Sequence, residues 1–187
     1  VKLCIADPPY LGKAEMFYGE TKKANMNLGG QINQTFKADR HKDAHLWDNP
    51  ETHKQMVLQL CQDYDGWAIA MLPTNLRHYL HWVPERTRIC VWHDPRVMPT
   101  GSHPRRRWEP VLVYVPAGRR RVVDVETPVP DVLTCPHPSG SFAGSKPPAW
   151  TRWVLDMLGY DPEQDTVDDL FKGSGAVAQE VAQGVLL

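Results

Sequence analysis

No stretch of this 187-residue sequence approaches the roughly 20 consecutive apolar residues that a membrane-spanning helix needs. No signal-peptide pattern opens it, so a cytoplasmic, intracellular protein is expected. Net charge is also scarce: 21 Lys and Arg against 22 Asp and Glu leave −1 at pH 7. That balance excludes a protein held on nucleic acid by overall charge and leaves such a role to local basic patches. Cysteines are few and scattered. Cys4, Cys61, Cys90 and Cys135 form no C-x-x-C pair, and three of them lie in apolar segments, so buried thiols in a reducing compartment are expected. His41 and His45 stand at i, i+4, and Cys135-Pro136-His137 has a ligand-like look. Neither makes a metal site by itself, and no metal is expected. The sequence also lacks an initiator Met, which leaves room for a trimmed or excerpted start.

What is present fits a globular α/β protein. Charged residues make up 23% and apolar ones 42%, and the length suits one domain with a real core. Leu3-Cys4-Ile5 reads as a short buried strand. Asn49 and Pro50 start a helix in which Met56, Val57, Leu60, Cys61 and Tyr64 recur at three- and four-residue spacing. Trp67 to Leu72 is a strand buried on both faces, Pro73 restarts a helix through about Trp82, and Arg88 to Trp92 is a third strand. This alternation predicts an open, mostly parallel sheet. The proline- and charge-rich span from His93 to Trp108 has no helical pattern, so Val111 to Val115 is expected to pair antiparallel with the third strand. Residues 122–145 read as loop. Pro147 starts a helix with Trp150, Trp153, Val154, Met157 and Leu158 on its apolar stripe, and Gly159 stops it. Thr166 to Phe171 is a last strand, followed by a glycine turn and a helix from Ala176 to Gln183.

The stretch Ala6-Asp7-Pro8-Pro9-Tyr10 is the unusual one. Pro9 keeps Pro8 out of helical geometry, so the chain leaving the first strand is stiff and extended. Two prolines remove two N–H donors, and the loop presents carbonyl acceptors beside the Asp7 carboxylate. Such a cluster suits an amino group. If Asp7 and the Pro8 carbonyl accept both hydrogens of an exocyclic amine, its lone pair is freed from the ring and aimed at an electrophile. Tyr10 would then stack on the ring that carries the amine.

Asp7-Pro8-Pro9-Tyr10 resembles the catalytic motif of the S-adenosylmethionine-dependent amino-methyltransferases, which methylate the exocyclic nitrogen of adenine or cytosine. Asp169-Leu170-Phe171-Lys172-Gly173-Ser174-Gly175 resembles the family's D-P-F-x-G-S-G cofactor loop, with Leu170 in place of proline. Ser145-Lys146-Pro147 is similar to the K-P segment that precedes that loop in permuted members. Catalytic motif first and cofactor motif last is the beta-type order, and the resemblance spans nearly the whole chain.

The resemblance implies a Rossmann-like methyltransferase fold over residues 1–187, with an antiparallel hairpin at one sheet edge and without the last strands of the full fold. It implies S-adenosyl-L-methionine as cofactor, bordered by Asp7, Lys146, Pro147, Asp169, Phe171, Gly173, Ser174 and Gly175. Asp7, Pro8, Pro9 and Tyr10 would be the catalytic set. DNA is the implied partner, with N6 of adenine as target; cytosine N4, RNA adenine, or a nucleic-acid-binding module with weakened turnover are the alternatives. Tyr10 and the arginine triplets Arg105-Arg106-Arg107 and Arg119-Arg120-Arg121 are the expected nucleic-acid contacts, since guanidinium forks match phosphate geometry. The polar stretch 11–49 is expected to be a lid or nucleic-acid loop. Residues 117–145 would form a small variable recognition segment, suited to few bases or to unpaired substrate. Neither a monomer nor a homodimer is favoured.

Overall fold

A computed structural model describes residues 1–19, 41–96, 104, 106–117, 128–138, 145–173 and 175–182. In chain order they form β1 (Lys2–Ala6), α1 (Ala14–Tyr18), a 3-10 turn (Ala44–Asp48), α2 (Pro50–Asp63), β2 (Gly66–Ala70), a second 3-10 turn (Pro73–Asn75), α3 (Leu76–Tyr79), β3 (Arg88–His93), β4 (Trp108–Tyr114), β5 (Val132–Thr134), α4 (Pro148–Leu158), β6 (Thr166–Asp169) and α5 (Ala176–Ala182). The strands make one six-stranded mixed sheet in the order β5-β3-β4-β2-β1-β6. β1 is parallel to both β2 and β6, and β3 is parallel to β5, while β4 is antiparallel to its neighbours β2 and β3. The fold is therefore α/β and mostly parallel, consistent with a Rossmann-like arrangement.

Both faces of the sheet are covered, which is why its central strands read as unbroken apolar runs. Leu3, Ile5, Ala68, Ala70, Val111 and Val113 pack under Trp150, Trp153, Val154 and Leu158 of α4 and Val177 of α5. Cys4, Ala6, Trp67, Ile69 and Leu112 turn to the opposite face, against Met56, Val57 and Leu60 of α2 and Tyr79 of α3. The caps fall where local chemistry puts them. Asn49 Oδ1 accepts the Glu51 N–H at 3.0 Å, with Pro50 in the first turn. Gly159 ends α4 at φ +68°, a left-handed geometry that glycine adopts without Cβ strain.

Several elements differ from the sequence reading. The β3–β4 hairpin forms, but it is not the sheet edge. β4 is inserted between β2 and β3, and β5 covers the far side of β3. β5 falls inside a stretch that reads as loop because three residues between prolines carry too little periodicity to register. β4 begins at Trp108 and β3 runs on to His93, so the connection between them is shorter than its composition suggests. The helix expected over 73–82 is a 3-10 turn followed by one turn of α-helix, and β6 ends at Asp169 rather than Phe171. Cys61 is exposed, because it lies on the flank of the α2 stripe that Leu60 completes.

His53 occupies the buried stripe of α2 instead. Its Nε2 lies 2.7 Å from the Trp47 carbonyl, which can only accept, so Nε2 carries the hydrogen. Burial pulls the His53 pKa down and keeps the ring neutral. Nδ1 therefore accepts the Tyr79 hydroxyl at 2.5 Å. This pairing fixes Trp47, whose indole lies edge-on to Phe171 at 5.0 Å between ring centroids.

Candidate active site

Two parallel neighbours bring the ends of the polypeptide together. Ile5 is the register partner of Asp169, and the Leu170 N–H donates to the Ile5 carbonyl at 3.2 Å. The loops that follow β1 and β6 thus leave the same end of the sheet, the carboxyl end, where open α/β sheets place ligands. β4 runs the other way, so its first residues, Trp108 and Glu109, start at that same end beside the exit of β1.

A cavity of about 520 Å³ lies there. Ile5, Asp7 and Pro9 line it from β1 and its loop, and Asp169, Phe171, Lys172, Gly173 and Gly175 line it from β6. Ser145, Lys146, Trp150 and Thr151 close it from the start of α4, and Tyr18, His41, Asp43, Ala44 and Trp47 form the remaining wall. The volume is in the range of small-molecule sites.

A buried charge cluster holds the Asp7 end. Lys146, whose side chain is only 6% exposed, donates to Asp7 Oδ1 at 3.0 Å and Oδ2 at 2.9 Å. It also donates to the Tyr10 hydroxyl at 2.8 Å. That hydroxyl in turn donates to Glu109 Oε2 at 2.8 Å. Arg106 flanks Glu109 on the other side, at 3.5 Å from Oε1. Aromatic faces surround the ammonium, with the Tyr10, Trp92 and Trp150 rings at 5.4, 5.6 and 5.8 Å. Burial pulls Lys146 down, but Asp7 and Glu109 more than offset it, so the ammonium is held above lysine's ordinary range. Asp7 shifts the other way from an ordinary ion-paired acid. Burial raises its carboxyl above the usual range even against the pull of Lys146. Each of its oxygens keeps a lone pair beyond the lysine bond, so Asp7 can still accept from an amine and is easily protonated.

The β6 end is built from backbone. Asp169 Oδ1 accepts the Phe171 N–H at 3.0 Å, and burial raises its carboxyl although that bond lowers it. Gly175 turns at φ +73°, where a side chain would be strained, and opens α5. Along α4, two buried polar atoms on the cavity wall have no protein partner: Thr151 Oγ1 and Trp150 Nε1. α4 also has no side-chain N-cap, since Pro147 stands at that position. Buried donors without partners are costly.

Most of the residues expected from sequence converge here. Asp7, Pro9, Lys146, Asp169, Phe171, Gly173 and Gly175 all line the cavity. Pro8 and Pro147 are buried beside lining neighbours. Tyr10 is not on the wall: its ring is half-buried and its hydroxyl is tied between Lys146 and Glu109. Ser174, Arg105, Arg119, Arg120 and Arg121 lie outside the described residues. Arg106 turns toward Glu109, and exposed Arg107 donates to the Pro95 carbonyl. The ends of the 11–49 stretch are ordered by local bonds. Asp48 accepts the Ala14 and Glu15 N–H groups at 2.9 and 3.0 Å, and the His41 N–H donates to the Tyr18 carbonyl at 2.7 Å.

Sequence reasoning missed Glu109, Thr151 and Trp47. Glu109 had a signal, an acid immediately ahead of the apolar run Val111–Tyr114, but the neighbouring Arg and Pro residues masked it as connector. Thr151 sits in an otherwise apolar helix and carried no such mark. Among the described residues, no group of three or more His, Cys, Asp or Glu is placed to hold a metal ion, and no helix is long and apolar enough to cross a membrane. No model of a known protein family matches the chain, and no curated protein does either, so the function is argued from the site itself.

Proposed function

We propose that this protein is an S-adenosylmethionine-dependent methyltransferase acting on the exocyclic N6 of adenine in DNA. The observation that carries this reading is the single cavity shared by the acceptor loop after β1 and the glycine loop after β6, with Lys146 between them. The cofactor's contribution is an electrophilic methyl group.

The residues present suit such a ligand. Thr151 and Trp150 offer unpartnered buried donors for a carboxylate, Asp169 offers an acceptor, and Gly173 and Gly175 let backbone approach closely. Ser174 would share that loop. The base is flipped or presented unpaired, which gives its amine access to Asp7 and the Pro8 carbonyl. Tyr10 would stack on that base from beside the cavity, its hydroxyl held between Lys146 and Glu109. Oriented acceptors supply the rate enhancement.

Labelled S-adenosylmethionine incubated with mixed single- and double-stranded DNA and RNA, followed by mass spectrometry of the nucleosides, tests the assignment. N6-methyl-2′-deoxyadenosine, released from DNA, is the expected product. N4-methylcytosine or label in RNA alone redirects the target, and no label in any nucleoside overturns the enzyme. Calorimetry then asks whether the cofactor binds at all, since heat without transfer identifies a binding module. Thr151→Val is expected to weaken cofactor affinity about tenfold, the loss of one buried hydrogen bond. An unchanged Kd in that titration removes Thr151 from the ligand's contacts.

A further inference from the structure

We propose that Asp7, Lys146, Tyr10 and Glu109 form a directed proton wire that carries the proton released from the methylated amine out of the cavity, with Glu109 as terminal acceptor. The inference rests on the amine-methylation reading, which supplies the proton. Glu109 has no place in the motifs that suggest the activity, and its burial at 7% exposure requires a reason.

Direction is fixed by chemistry from Lys146 onward. A carboxylate can only accept, so the 2.8 Å contact between Tyr10 and Glu109 has the phenol donating. With its hydrogen committed, the Tyr10 oxygen must accept from Lys146, at 2.8 Å. Lys146 has only donors and also donates to Asp7, at 2.9 and 3.0 Å. Lys146 and Glu109 are 3.6 Å apart, too far for a good hydrogen bond, so Tyr10 is the connection between them.

After transfer the amine nitrogen carries the methyl group, two hydrogens and a positive charge. Asp7 takes one proton, and the N–H electron pair stays on nitrogen. Glu109 takes the Tyr10 hydroxyl proton, Tyr10 takes one from the Lys146 ammonium, and the Lys146 amine takes the one on Asp7. The sum is Asp7 restored as carboxylate and Glu109 protonated, with no charge created or lost. The Glu109 side chain is 10% exposed, so water takes the proton there, while Arg106, 3.5 Å away and without an acceptor site, holds the charge of the restored carboxylate. Among the described residues, the other titratable groups that bear on the cluster include Tyr18 from α1, Tyr79 from α3, His137 after β5 and Asp169 at the end of β6; burial raises Tyr18, Tyr79 and Asp169 and lowers His137.

The wire is testable without cofactor. Hydrogen exchange of the Lys146 ammonium, followed by nitrogen-15 NMR in the ligand-free protein, is expected to slow at least about tenfold in both Tyr10→Phe and Glu109→Gln. A purely structural role predicts the opposite, since loosened packing speeds exchange. Unchanged or faster exchange in Tyr10→Phe, which removes no charge, overturns the wire. Turnover is the second readout, with labelled S-adenosylmethionine and random-sequence single-stranded DNA. In Glu109→Gln the first methyl per protein should form at the wild-type rate and later ones about tenfold more slowly. Wild-type later turnovers in Glu109→Gln overturn the wire alone. Slowed exchange in the variants, beside a wild-type protein that methylates nothing, upholds the wire and overturns the amine-methylation reading.

Discussion

Asp7→Ala is expected to lower methyl transfer by at least about a thousandfold, the range seen when a positioned acid–base or charge-stabilising group is removed. Cofactor affinity should be unchanged, because Thr151, Trp150 and the β6 loop remain on the wall. The substitution also strands part of the Lys146 charge, whose other partners include Tyr10 and Glu109. Thermal melting must therefore accompany the assay, so that lost chemistry is told apart from lost fold. Calorimetry with S-adenosylmethionine gives the second control. A folded Asp7→Ala protein with full activity would remove the acceptor loop from the chemistry and with it the proposed function.

Lys146→Met acts on stability instead. It removes the cation between Asp7 and Glu109 and leaves two carboxylates together in a site of low exposure. Breaking such a pair costs about 3–5 kcal/mol, which for a chain of this size lowers Tm by on the order of 10 °C. The pH dependence has a definite sign. Asp7 already titrates above its ordinary range, and loss of Lys146 raises it further. The folded variant then binds more protons than the unfolded chain between the ordinary aspartate pKa and that raised value. Its stability falls as pH rises through this window, so the deficit against wild type is smallest at low pH. Urea melts of both proteins from acid to neutral pH measure it. A deficit that is flat with pH would show that packing, not charge, is what Lys146 provides.

Local chemistry made half of the site legible and tertiary pairing hid the rest. The prolines at 8 and 9 announce a stiff loop whatever surrounds them, and Gly173 and Gly175 announce a tight turn. Lys146 was legible through a motif, although its burial was not, because only the folded chain brings Asp7 and Glu109 to it. Glu109 belongs to the site because β4 runs against its neighbours and so begins where they end. No local pattern encodes that reversal. β5 is visible only once β3 is there to pair with it. On α2, helical spacing identified the stripe correctly at Met56, Val57 and Leu60. It could not predict that the stripe would accept His53, whose place depends on a carbonyl and a phenol from other elements.

The pairing of β1 with β6 joins residues about 160 positions apart, Lys2 with Thr166. A ribosome adding about 5–20 residues per second leaves roughly ten to thirty seconds between the emergence of the two strands. During that interval one flank of β1 has no neighbour, and Leu3, Cys4 and Ile5 are open to association with other nascent chains. The same delay leaves the loop after β1 without the loop it faces until β6 has emerged and paired.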